Sequence, residues 1–140
     1  MQAHWRTTIR ISIALVATFA TALFCSVAAD SIVGASDISD QFYVRSSYSF
    51  TLSIIVTLIA FFVGGLIAKS QFLIPAIALQ LLLQSLEIAF WSAWGGRPFS
   101  VELIHHWPIS MALTICAVAA ALVGMNVSRK ISIYFHRVVT

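Results

Sequence analysis

The stretch YSFTLSIIVTLIAFFVGGLIAK, Tyr48 to Lys69, decides the fold. No charge occurs between Arg45 and Lys69. The apolar residues follow one another without the strict alternation of a half-buried strand or the polar face of a surface helix. About 20 such residues cross the roughly 30 Å hydrocarbon core of a bilayer as a helix. Every backbone N–H and C=O in lipid must be paired, and a single segment pairs its own groups only as a helix. The stretch therefore reads as a transmembrane helix that stops at Lys69.

Outward from it lie three more blocks of the same kind: Ile11 to Ala29, Phe72 to Trp94 and Trp107 to Val127. With their flanks the four spans are expected at about 9–29, 48–68, 72–94 and 107–127. Pro75 and Pro108 are placed in the first turns of the third and fourth spans, where a missing N–H costs little. Gly95, Gly96 and Pro98 break the chain after the third. The expectation is an all-α, integral membrane four-helix bundle, one domain with short loops. Composition agrees, with 60% hydrophobic and 9% charged residues against about 25% charged in soluble domains. Four spans take up most of 140 residues, which leaves no length for a soluble catalytic domain.

The basic residues stand at span ends rather than in a patch, so the net charge of +3 points to lipid headgroups and not to nucleic acid. Arg6, Arg10, Lys69, Arg129, Lys130 and Arg137 fall on one set of flanks, and Arg45 and Arg97 on the other. The positive-inside rule then puts both termini and the Lys69 turn in the cytoplasm, as for a multi-pass protein of a plasma membrane, bacterial inner membranes included. Trp5, Tyr48, Trp91, Trp94 and Trp107 fall near the expected interfaces, as an aromatic belt requires.

Residues 1–29 also resemble a secretory signal, with Val27 and Ala29 suiting a small-residue cleavage site. The 19-residue apolar block, Ile11 to Ala29, exceeds the usual core of about 7–15 residues, which favours a retained helix. In the loop from Asp30 to Ser47, Ser36 is expected to cap a short interfacial helix through Val44. Asp37 and Asp40 there read as solvated carboxylates rather than a cation site. The tail from Ile131 to Thr140 is expected to lie along the inner membrane surface.

The costly residues carry the chemical information. Gln80, Gln84, Glu87, Trp91 and Trp94 are spaced four, three, four and three apart, one stripe of the third span. A carboxyl group within a span costs about 2–3 kcal/mol on insertion scales, so the stripe should face other helices or a cavity. Hydroxyls such as Thr114 are expected to meet Glu87, which is either protonated or hydrogen-bonded. Gln80, Gln84, Glu87 and Thr114 are thus the candidate polar site. It serves as a proton or cation site in one reading and as interhelical glue in the other.

Small residues four apart mark packing faces: Ala60, Gly64 and Ala68 on the second span, Ser85 and Ala89 on the third, Ala120 and Gly124 on the fourth. Glu102, His105 and His106 cluster at the mouth of the fourth span. They lack the further carboxylates and the second Glu-x-x-His motif of a helical-bundle metal centre, so no metal and no cofactor are expected. Cys25 and Cys116, the only cysteines, sit in apolar blocks and read as small hydrophobes. No nucleophile–base pair is visible, so no catalytic residue is expected. The functional expectation is a non-enzymatic accessory or assembly-forming subunit, acting through helix packing with itself or a larger membrane complex. A proton- or cation-coupled transporter or channel component comes second, and a membrane enzyme or lytic pore third.

Overall fold

The computed structural model describes residues 2–33, 42–69, 71–96 and 98–139, with side chains over most of that range. Four helices account for nearly all of it: α1 (Gln2–Val33), α2 (Phe42–Ala68), α3 (Leu73–Gly95) and α4 (Phe99–Val139). There is no strand among the described residues. Each helix is long and apolar enough to cross a membrane.

The helices overrun their apolar blocks. α1 continues to Val33, one residue short of the first glycine, Gly34. α2 already begins at Phe42, so most of the expected Asp30–Ser47 loop is helix. Ser36, Asp37 and Asp40 lie outside the described residues. α4 spans 41 residues, about 62 Å at 1.5 Å per residue. It passes through Pro108, which therefore lies in the third turn and not the first. It also runs on as unbroken helix through Val139, with no break before residues 131–139, which were expected to lie along the inner membrane surface. Nothing after Gly124 breaks a helix. α3 starts at Leu73 with Pro75 in its first turn and ends at Gly96, whose φ of 63° is left-handed, a conformation glycine adopts without cost.

α2 is the centre of the packing, with α1 on one side and α4 on the other, and α3 lies on α4. α1 and α3 scarcely meet. The buried residues run in rows four apart: Thr57, Phe61 and Gly65 beside Ala60, Gly64 and Ala68 on α2; Ala117, Ala121 and Met125 beside Ala120, Gly124 and Ser128 on α4. Rows of this kind interdigitate when helices cross at about −50°, and small residues in them let backbones approach. A β-carbon on Gly65 would overlap the carbonyl oxygen of Ala121, and one on Gly124 would overlap that of Phe62. Gly64 leaves room for Thr18 of α1 and for the ring of Phe72, whose Cζ lies 2.6 Å from where a β-carbon would stand.

Of the expected packing residues, Ala60, Gly64, Ala68, Ala120 and Gly124 are buried in these rows. Ser85 and Ala89 are exposed in the single chain, so they do not pack within this bundle. The reason is polar satisfaction. Ser85 Oγ donates to the carbonyl of Leu81 in the preceding turn (2.8 Å) and can face lipid unaided, whereas a glutamine amide cannot satisfy itself this way. α3 therefore buries its glutamine face.

The bundle is tightest at the end that holds the α2–α3 turn. There Phe72 is fully buried among Ala14, Ala60, Phe61, Ala68, Ala76 and Ala117. Lys69 N–H closes α2 onto Gly65 O (3.2 Å), and Arg129 Nε of α4 donates to Lys69 O (3.4 Å). Lys69 and Gln71 both hold positive φ, 62° and 60°. Arg10 precedes the buried Ala14 by one turn, so it shares this basic end. α1 belongs to the bundle. Its Ala14 and Thr18 are wholly buried, and Thr18 Oγ1 is satisfied by Ala14 O at 2.7 Å.

Candidate functional site

The site begins with the way α3 is laid across the bundle. Its buried residues are Phe72, Ala76, Gln80, Gln84 and Ile88, each four from the last. A row of fours advances about 40° around the helix at each step, so the buried face swings as α3 rises from the basic end. It starts at Phe72 and Ala76 in the core shared with α1, α2 and α4 and meets Ser110 of α4 at Gln84.

Gln84 is 6% exposed, and its Nε2 donates to the carbonyl of Ser110 on α4 at 2.9 Å. Thr114 Oγ1, one turn on, donates to the same oxygen at 2.8 Å. Thr114, expected to meet Glu87, instead shares with Gln84 one carbonyl that accepts from both. Gln80 is 4% exposed and lies one turn nearer the basic end. Among the described residues no fully buried side-chain nitrogen or oxygen lacks a partner. The seam between α3 and α4 is a packed polar contact.

Glu87 is not part of it. The structure leaves this side chain exposed, which corrects the expectation that the whole stripe faces inward. The physical cause is the spacing of the contact row. A stripe of alternating fours and threes runs nearly parallel to the helix axis, while the observed row of fours drifts away from it. By the height of Glu87 the row has moved to Ile88, about 100° around the helix. Gln80 and Gln84 belong to both patterns, so only the third member, Glu87 or Ile88, tells them apart.

Where Glu87 points follows from the same arithmetic. It is eleven residues from Ala76, three turns higher and within about 20° of the same direction. Ala76 is fully buried in the core that α1, α2 and α4 share. Along this one face exposure rises from Ala76 at 0% and Gln80 at 4%, through half-buried Leu83, to exposed Glu87. α1 shows the same trend, from fully buried Ala14 and Thr18 to half-buried Ala22 and Cys25. Glu87 thus stands uncovered on the face that is buried at Ala76, about 12 Å short of the end of α3.

At the far end of α4, Glu102 is 7% exposed and its Oε2 lies 3.3 Å from His106 Nε2, one turn along. The pair is ionic only when His106 carries a proton. His105 is exposed and meets the His106 ring edge-on at 5.5 Å. No group of three or more His, Cys, Asp or Glu side chains is placed to hold a metal ion among the described residues. Cys25 and Cys116 are free and half-buried. The Glu102–His106 contact was legible in the spacing, although the burial of Glu102 was not, because nothing local marks that face of α4.

The exposed carboxyl and the buried glutamines are therefore separate devices. One binds α3 to α4, and the other is presented on the exposed side of a helix long and apolar enough to cross a membrane. No family model matches the chain, and no curated protein or solved structure matches it either.

Proposed function

We propose that the chain is a non-enzymatic, multi-pass subunit of a plasma membrane, with both termini in the cytoplasm, which acts by packing its helices into an assembly. The observation that carries the reading is the use made of the polar stripe. Gln84 is committed to Ser110 in a closed seam, not to a cavity, which is how glue behaves. The Gly65–Ala121 and Gly124–Phe62 approaches likewise supply rigidity rather than chemistry. Arg10, Lys69, Arg129 and Lys130, all exposed at or beside the basic end, support a cytoplasmic placement of that end. The fit is to a plasma membrane such as a bacterial inner membrane.

Purification in mild detergent with chemical crosslinking tests the proposal. A defined oligomer or a stoichiometric partner is expected, and monomers alone would sink it.

One observation favours a second reading, a small proton- or cation-coupled transporter. Glu87 is accessible, as a titrating site must be. In proteoliposomes Glu87→Gln would then abolish proton-linked flux while leaving the bundle folded. Absence of any such flux in the unaltered protein removes this reading.

A further inference from the structure

We propose that the exposed face of α3 at Glu87 is a docking surface for a transmembrane helix of a different protein, one that brings a lysine or arginine to the depth of Glu87. This rests on the reading of the chain as a membrane-spanning packing subunit.

Three observations carry it. First, Glu87 is exposed within a helix otherwise flanked at this height by apolar side chains, half-buried Leu83 and exposed Phe90. A carboxyl presented to hydrocarbon is unfavourable, and such residues pair with other groups or line protein surfaces. Second, this chain supplies no cation there. Its basic side chains are Arg6, Arg10, Arg45, Lys69, Arg97, Arg129, Lys130 and Arg137. None lies in the stretches from Ile11 to Ala29, Tyr48 to Ala68, Phe72 to Trp94 or Trp107 to Val127. A second copy inserted the same way holds its cations at these same depths, so self-association sets Glu87 against hydroxyls or another Glu87. The complementary charge must come from another protein. Third, this face is left uncovered by the chain's own helices. α1 and α3 scarcely meet, and the face that is sealed at Ala76 is exposed three turns higher at Glu87. A helix docking there lies against α3.

A designed peptide makes the test possible without the native partner. It is a leucine–alanine helix of about 20 residues with one lysine at the depth of Glu87. Two control peptides carry leucine in its place or the lysine in the opposite half of the bilayer. Energy transfer between the labelled full-length protein and labelled peptide is measured in phosphatidylcholine vesicles. The matched lysine is expected to tighten association about tenfold over the leucine control, the range of an interhelical polar contact in lipid. The gain should vanish in Glu87→Gln and persist in part in Glu87→Asp, which keeps the charge on a shorter stem. Equal binding of all three peptides overturns the inference. So does a lysine effect that survives Glu87→Gln, or Glu87-dependent self-association without peptide. The parent reading fails separately. Purification that yields only monomers refutes the subunit role, whereas a native complex that tolerates Glu87→Gln keeps that role and removes this docking surface.

Discussion

Gly124 of α4 lies so close to Phe62 of α2 that a β-carbon on the glycine would overlap the phenylalanine's carbonyl oxygen, and its next neighbours are Leu66 N at 3.0 Å and Gly65 Cα at 3.1 Å. All of these are backbone atoms, so neither helix can yield by turning a side chain. Van der Waals contact over such an approach is a main source of helix association in lipid, where the hydrophobic effect between helices is absent.

Gly65→Ala and Gly124→Ala are therefore expected to destabilise the bundle by about 1–3 kcal/mol each, the usual penalty of overpacking. The two positions share one crossing, so the double variant should cost less than the sum. Unfolding in mixed micelles with increasing SDS measures both. Gly96→Ala is the control for space, because nothing lies within 4 Å of a β-carbon there. Its cost should be only the left-handed φ, about 1 kcal/mol.

Gln84→Leu removes one of two side-chain donors to Ser110 O. Thr114 still bonds that oxygen, so the acceptor is not orphaned. The loss should sit near 0.6 kcal/mol, the low end for polar contacts between membrane helices. Thr114→Val alone should be comparably mild. The pair together strips both side-chain donors, and its cost should exceed the sum of the two. Strict additivity in the same SDS titration would show that the shared carbonyl does not couple them.

These side chains mark where the sequence was readable and where it was not. The helices, their order and the stop at Gly95–Gly96 follow from apolar length and breaker residues, signals that need no tertiary information. The lean of α3 does. Gln80 and Gln84 fit a stripe aimed at Glu87 and a row aimed at Ile88 equally well, and the choice depends on the angle at which α3 meets α4. That angle is set by partner surfaces far away in the chain. The small stripe of Ser85 and Ala89 lies on the exposed side of α3 for a related reason. A small-residue face permits close packing but does not compel it when the opposite face carries amides that must leave lipid.

The α2–α3 turn holds two non-glycine residues in the left-handed region, Lys69 and Gln71. Each pays about 1 kcal/mol for a β-carbon crowded against the following carbonyl. Gln71→Gly should recover most of that in stability, less the entropy glycine regains on unfolding. Lys69→Gly should behave likewise, because Arg129 bonds the backbone carbonyl of that residue and not its side chain. A rise of a few tenths of a kcal/mol or more in SDS titration is the expected result. A fall at Gln71 would mean that its side chain makes a contact worth more than the strain.

The final prediction concerns where α4 leaves the bilayer. Arg129 meets the Lys69 turn, which places the boundary of the basic end near that residue, and the helix runs on unbroken to Val139. Ten residues of α-helix are about 15 Å, enough to carry the tail clear of the hydrocarbon core along the direction of the span. Exposed Ile131, Ile133 and Tyr134 then lie outside the hydrocarbon core rather than inside it. With Cys25 and Cys116 replaced by alanine, a cysteine at exposed Ser132 should react quickly with a membrane-impermeant maleimide added on the side of the basic end. One at Ile115, which is also exposed but fourteen residues further into the span, should not react. A tail lying flat in the interface would instead slow Ser132 and leave Ile133 as the protected face. Equal protection at 132 and 133 would mean that the boundary lies beyond Arg129, with the basic side chains reaching outward to the headgroups.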